Sequence, residues 1–242
     1  MLVSAPTDLR ILHWNVHSWR DASGAQNLNS VISLAREVEP DVVSLVEVDE
    51  PWGMPSILGE LADHLNYSWV LSPSFEFGTD NTSGGFGNAI LTRIPILAVQ
   101  HWDLLRASHP YDGTEQSEPR TVISVKLGSS SRSLWVGSTH LPRSDESARA
   151  KALHRLARHV ERLDDPWIIC GDFNVEARFW RDNYPSYLVN PNPERPTYPA
   201  HRPIESIDYF IGSPDIFIKA EVLPATGSDH LPVAATVSLA PA

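Results

Sequence analysis

Two runs, LRILHWNV at residues 9–16 and DVVSLVEV at residues 41–48, flank a segment whose apolar residues return at helical spacing: Leu28, Val31, Ile32, Ala35 and Val38. Each flanking run is short, rich in Leu, Val and Ile, and ends in polar residues, as strands do. Pro40 cannot continue a helix, so the intervening helix ends there. A strand–helix–strand unit of this length predicts two neighbouring parallel strands. Working outward, a second helix is expected near 56–65. Strand-like runs then follow at 68–71, 88–92, 96–102, 121–127 and 134–139, separated by turn-rich segments. A longer helix spans about 144–163, with Ser144 and Asp145 as candidate caps and Leu153, Leu156, Ala157, Val160 and Leu163 along one stripe. His154 and His159 are read as solvated residues of that helix. Further strands are expected at 167–171, 206–211, 216–222 and 232–239.

Many strands with helices gathered in a few places predict two packed mixed sheets with helices outside, a four-layer α/β/β/α sandwich. The Pro-rich stretch 191–203 is the nearest thing to a linker, but strands continue on both sides of it. The expectation is therefore a single domain over residues 1–242. Composition agrees: 42% of residues are hydrophobic, and eight Trp with thirteen Phe and Tyr can fill a sizeable core.

The formal charge is −11, from 19 Lys and Arg against 30 Asp and Glu. Tight, non-specific duplex binding rests on phosphate neutralisation by a basic face, so this balance argues against it. A local patch or a bound cation can still serve an anionic substrate. Cys170 is the sole cysteine, excludes an internal disulfide, and sits in the apolar run PWIIC as a buried, inert thiol. Residues 1–7 read as a short lead-in, and no apolar run approaches a membrane span. A cytoplasmic protein with no obligate protein partner is expected.

Polar residues with chemical capacity recur at strand ends. Asn15 closes the first strand and Glu47 the second. His140 ends WVGSTH, Asp172 and Asn174 follow WIIC, Asp208 lies in SIDYF, and Asp229–His230 precede the last strand. Taken singly, each has an ordinary reading as a solvated strand end or a turn former. Together they place carboxylates, amides and imidazoles where a layered scaffold holds them rigidly and open to solvent. The scattered His and single Cys lack the ligand spacing of a zinc site.

In order, the segments LHWNV, SLVEV, GNAILTRIPI, GSTHLP, ICGDFN, SIDYFIGS and GSDHLPV resemble the motifs of the endonuclease/exonuclease/phosphatase superfamily. GDFN and SDH are the most specific, and the likeness runs from about residue 9 to 239. The resemblance implies a Mg²⁺- or Mn²⁺-dependent phosphoesterase, with nucleic acid, nucleotide or lipid-headgroup esters as substrates. It implies metal-binding positions at Asn15, Glu47 and Asp229, and a catalytic set of His140, Asp172, Asn174, Asp208 and His230. Asp172 would hold the attacking water or a metal, and Asn174 would donate to a phosphate oxygen from the same face of an extended segment. His230 would act as base or phosphate contact, oriented by Asp208. Arg120, in SEPRTVISV, is either a phosphate contact or one half of a surface ion pair, while Arg93 is structural. His140 favours the branches resembling DNase I, sphingomyelinases and deadenylases over AP endonucleases. The segment HRPIE ahead of SIDYF puts Glu205 and Ser206 where many relatives carry a basic residue. A phosphodiesterase or nuclease is the leading expectation, ahead of a phosphomonoesterase and of a non-catalytic binding module.

Overall fold

The computed structural model describes residues 8–52, 55–78, 83–106, 118–129, 132–191 and 194–239; the lead-in at 1–7 lies outside them. The expected strand–helix–strand unit is present: β1 (Asp8–Asn15), α1 (Leu28–Val38) and β2 (Val42–Pro51), with β1 and β2 parallel and Asn15 registered against Val46. Then come α2 (Ile57–Leu65), β3 (Ser68–Phe77), β4 (Gly84–Thr92), β5 (Ile96–Leu105), β6 (Arg120–Ser129), β7 (Arg132–His140), α3 (Glu146–Val160), β8 (Trp167–Asp172), α4 (Arg178–Asn183), β9 (Leu188–Asn190), β10 (Asp208–Gly212), β11 (Ile216–Val222) and β12 (Val233–Leu239).

The strands form two six-stranded mixed sheets, in the orders β11-β12-β1-β2-β4-β3 and β5-β6-β7-β8-β10-β9. Burial follows position in the sheet. Val42, Val43, Leu45 and Val46 are buried on both faces of central β2, and all six residues of β8 are buried. Such strands read as unbroken apolar runs. Edge strands β5 and β11 instead alternate between more and less covered residues. Three apolar layers result. Leu12, Trp14, Val43 and Leu45 pack under α1 and α2. Ile11, Val42, Val136, Ile168 and Phe210 fill the space between the sheets. Trp135, Ile169, Leu153, Leu156 and Trp180 join the second sheet to α3 and α4. Three apolar seams between four layers are what the α/β/β/α expectation requires.

Asp145 caps α3 by accepting from Ala148 N at 2.9 Å. His154 is exposed on this helix, but the reading of His159 as solvated is overturned: it is fully buried, 2.9 Å from Ser124 Oγ. It falls on the inward stripe with Leu156 and Val160, three and one residues away. Burial first, and then the Arg162 charge, lower its pKa to about 4. The folded state thus takes up a proton less readily than the unfolded chain, whose His titrates near 6.5. Stability from this group is complete above pH 6.5 and is lost as pH falls from 6.5 through about 4. We expect His159→Phe to remove a loss of roughly 2–3 kcal/mol over that window, as read by urea melts at pH 7 and pH 4. Cys170 is buried as expected; burial pushes its thiol up to about 12, and Sγ donates to Gly137 O.

Candidate active site

The topology brings distant side chains to one end of the sandwich. Both parallel pairs, β1/β2 and β7/β8, lie in the middle of their sheets and end there, with His140 registered against Asp172. Antiparallel β10 begins at the same level, Asp208 opposite Asp172. Glu47 differs from the expected strand end. β2 runs on to Pro51, and Glu47 sits in an irregularity between Leu45 and Val48 with φ +55°. A bulge of this kind re-aims one side chain without ending the strand.

Asn15 ties the two sheets together. Its Nδ2 donates to Glu47 Oε1 at 2.9 Å and to Asp172 Oδ2 at 3.1 Å, while Oδ1 accepts from His17 N at 3.0 Å. In this arrangement its amide holds the two carboxylates together while its oxygen meets the His17 N–H. The loop before β12 is fixed from beneath. Ser228 Oγ donates to Asn15 O at 2.7 Å, Trp14 Nε1 donates to His230 O at 2.8 Å, and Asn27 Nδ2 donates to Val16 O and Gly227 O.

His230 and Asp208 form a buried pair, Nδ1 to Oδ2 at 2.8 Å, and Thr197 Oγ1 donates to the same carboxylate oxygen at 2.5 Å. Burial alone would lower the imidazole's pKa. The charges of Asp208 and Asp172 and the hydrogen bond to Asp208 outweigh it and raise the value to about 10. The Asp208 carboxyl is held below its ordinary range: burial pushes it up, but His230 and His13 pull it down further. Asp172 goes the other way, to about 7. Burial is the largest cause, followed by the Asp208 charge, and His230 and Asn15 offset them only in part.

His140 is neutral. Burial, then the neighbouring charges of Arg120 and His230, hold it well below 6.5. Arg120 Nη1 lies 2.9 Å from His140 Nδ1, and Asn174 Nδ2 lies 3.1 Å from Nε2. Both neighbours are donors, and a neutral ring has one acceptor. The charged guanidinium makes the stronger bond, so we assign the proton to Nε2. That nitrogen stands 3.6 Å from Asp172 Oδ2 and 3.9 Å from Glu47 Oε1. Arg120 is itself buried and paired with Glu118 at 2.9 Å, so the surface ion pair considered for it is corrected to a buried one.

A cavity of about 300 Å³ collects these groups, lined by Glu47, Arg120, His140, Asp172, Asn174 and His230 among others. One expectation on geometry fails. Asn174 does not extend the strand: its φ is +50°, its N–H donates to Asp172 Oδ1, and its Nδ2 donates to Leu141 O at 2.8 Å. Asp229 lines the cavity but belongs to neither cluster of close ligand groups, which are Glu47–His140–Asp172 and Asp172–Asp208–His230. In the anchored loop, Asp229 stands at the cavity wall beside His17, Oδ1 to Nδ1 at 3.6 Å, while His230 meets Asp208. Arg93 pairs with Asp41 at 2.7 Å and does not line this cavity.

Sequence reasoning missed Arg143, Tyr198, Phe86 and His17, all in the cavity lining. Arg143 stacks over the Tyr198 ring at 4.4 Å and binds both carboxylate oxygens of Glu205. A cation beside Glu205 is thus supplied from the loop after β7. The pairing of Glu205 with Arg143 was invisible because 62 residues separate them. Gly171 sits between the site residues of β7 and β8. A Cβ there would lie 2.4 Å from the Thr139 carbonyl oxygen. Gly171→Ala is expected to cost about 1–3 kcal/mol through strand separation, measurable as a lower urea midpoint with an unchanged m-value.

A four-layer sandwich thus gathers acidic and imidazole groups at the ends of its parallel strands. The chain belongs to the endonuclease/exonuclease/phosphatase family, whose sequence profile matches residues 12–230. This is a family of divalent-metal-dependent phosphoesterases. No curated protein sequence matches significantly. Among solved structures, an endonuclease/exonuclease/phosphatase from Beutenbergia cavernae DSM 12333 aligns at TM-score 0.76 and 20% identity, covering 97% of this chain and 72% of its own. A mannosyl-6-phosphatase from Bacteroides thetaiotaomicron VPI-5482 aligns at TM-score 0.73 and 17% identity, covering 96% of this chain and 100% of its own. TDP2 from D. rerio, complexed with single strand DNA product, aligns at TM-score 0.70 and 17% identity, with coverage of 96% and 100%. At these identities the likeness carries the fold.

Proposed function

We propose that the chain is a Mg²⁺- or Mn²⁺-dependent phosphodiesterase acting from a single domain spanning residues 1–242. The observation that carries this reading is the convergence of Glu47, Asp172, His140 and His230 on one cavity from four separate segments of two sheets. The donor set suits a hard cation, which takes oxygen ligands. Glu47 and Asp172 bring carboxylate oxygens to one place, and the Asp172 carboxyl is pushed up by burial and uncompensated negative neighbours, a cost that a bound cation removes. Glu47 and Asp172 would hold it, and it would draw charge from the phosphate oxygens. The Nε2–H of neutral His140 faces those carboxylates and is a donor, not a ligand.

The charges of Asp208 and Asp172 favour a protonated His230. It therefore serves as a donor to the phosphate, or as the acid for the departing oxygen, while Asp208 and Thr197 fix its ring. Arg120 fixes the His140 tautomer, leaving a neutral donor for a second phosphate oxygen. Asn174 is engaged elsewhere: its Nδ2 donates to Leu141 O and its Oδ1 accepts from Arg143 Nη1 at 3.2 Å, so its part is to hold the loop after β8 beside His140. Arg143, beside Asn174, is the cavity's outer cation.

Hydrolysis of an aryl phosphodiester that needs added Mg²⁺ or Mn²⁺ and stops with EDTA tests the reading; no turnover by folded protein would contradict it and favour a non-catalytic binding role. A phosphomonoester is the second reading, favoured by two arginines in a cavity of modest volume. A tenfold preference for the aryl monoester would establish it. Because a protonated Asp172 is no ligand, Mg²⁺ affinity should tighten roughly fivefold between pH 6 and 7 and less than twofold from pH 7 to 8; a pH-independent calorimetric Kd would show that Asp172 does not bind the ion. Among the described residues no helix is long and apolar enough to cross a membrane, and a cytoplasmic location is part of the same proposal.

A further inference from the structure

A second, larger cavity lies between edge strand β5 and α3. Its volume is about 520 Å³ and its described lining is His101, Trp102, Asp103, Arg106, Arg155 and Arg158. The three arginines are exposed, and Arg162 adds a fourth guanidinium 4.6 Å over the Trp102 ring. Asp103 is the sole carboxylate among the described lining residues and is matched by Arg106 at 2.5 Å and His101 at 3.1 Å. The groove is therefore cationic on a chain of net charge −11. This charge is segregated: six of the nineteen Lys and Arg fall within residues 143–162, around α3. Arg143, at the start of this stretch, is paired with Glu205, and Arg106 in the groove is paired with Asp103. Arg155 does donate to Leu104 O at 2.8 Å, but one neutral carbonyl does not balance a cluster of guanidinium groups. Desolvated or crowded cations of one sign repel, so a concave patch of this kind calls for an anion.

The groove also lies next to the catalytic cavity. Leu105, the residue before Arg106, is paired across the ladder with Arg120, and Arg120 lines the catalytic cavity. Adjacent strands stand about 4.8 Å apart, so an anion with several phosphates can engage both. A row of exposed arginines fits a single strand, whose successive phosphates meet successive cations; the Trp102 ring braces one of these cations, Arg162. The described lining contains no aliphatic side chain to enter a bilayer.

We infer that the groove between β5 and α3 binds single-stranded nucleic acid and delivers it to the catalytic cavity. This rests on the phosphodiesterase reading and names its substrate class. The test is fluorescence anisotropy of a labelled twelve-residue oligothymidylate with the full chain, in EDTA to prevent cleavage, at several salt concentrations. Arg106→Glu/Arg158→Glu is compared with wild type after thermal melting shows that both fold; neither residue belongs to the catalytic set. Affinity is expected to fall at least tenfold, and the slope of log K against log salt to shrink by about 1.4, since each lost phosphate contact removes about 0.7 on a single strand. Binding within twofold of wild type with an unchanged slope would overturn the inference. So would loss of binding to phosphatidylserine vesicles with oligonucleotide binding retained. Turnover of a small aryl phosphodiester, expected within twofold of wild type, reads the catalytic cavity separately. A failed active-site reading appears there, and a failed groove appears in the anisotropy.

Discussion

Asp172→Asn and His230→Ala are each expected to lower kcat/KM on an aryl phosphodiester by at least about 10³-fold, with the folded state retained. Asp172 touches the most site groups. Its Oδ2 accepts from Asn15 and stands 3.6 Å from both His140 Nε2 and His230 Nε2, while Oδ1 accepts from Asn174 N. An amide of the same shape keeps most of this packing but loses the charge that holds a cation and faces the protonated His230. Removing a positioned charge at developing phosphate charge costs about 10²–10³-fold, and removing proton transfer about 10²–10⁴-fold. His230→Ala removes the imidazolium and leaves Asp208 buried with an unmatched charge. The double variant should be scarcely worse than either single one, because residues that act as a unit are not additive. Steady-state rates on matched, metal-saturated samples read this, and full activity in both single variants would remove the site from the mechanism.

Trp14→Ala is expected to lower stability by about 3–5 kcal/mol, the range for deleting a large buried ring. Trp14 is 1% exposed, lies in β1 one residue before Asn15, and packs in the layer under α1 and α2. Its Nε1 also donates to the carbonyl of His230, so the ring is a strut between the core and the loop that carries the imidazole. Trp14→Phe separates the two parts. It keeps most of the packing and leaves a buried carbonyl unpaired, at about 1–3 kcal/mol, and it should lower kcat more than KM. Urea melts of the two variants check the ordering. Equal losses would mean that the hydrogen bond, and not the ring volume, carries the effect.

The fold was legible where strands are buried on both faces, because residues 41–48, with two apolar stretches, and 167–171 are then mostly apolar and β-branched runs too short to need a helix. It was less legible where burial is local. The helix Arg178–Asn183 is six residues long and held by Trp180 packing against Phe173 and Tyr184; six residues show less than two helical turns of pattern. His159 was misread because a polar residue was assigned outward, whereas its place on the stripe was the better guide. The site was legible as residue types at strand ends. What spacing could not give was conformation and pairing. The positive φ of Glu47 and Asn174, the Asp229–His17 contact, and the Arg143–Tyr198–Glu205 contact all depend on segments far apart in the chain.

The central claim is that Glu47 and Asp172 hold a hard cation beside His230. Anomalous diffraction from a crystal soaked in Mn²⁺ tests it most directly. The account predicts a peak in the catalytic cavity bonded to carboxylate oxygens of both Glu47 and Asp172, at about 2.1 Å, within reach of the phosphate that His230 contacts. A peak bound elsewhere, with these two carboxylates left free in crystals saturated with Mn²⁺, would contradict it.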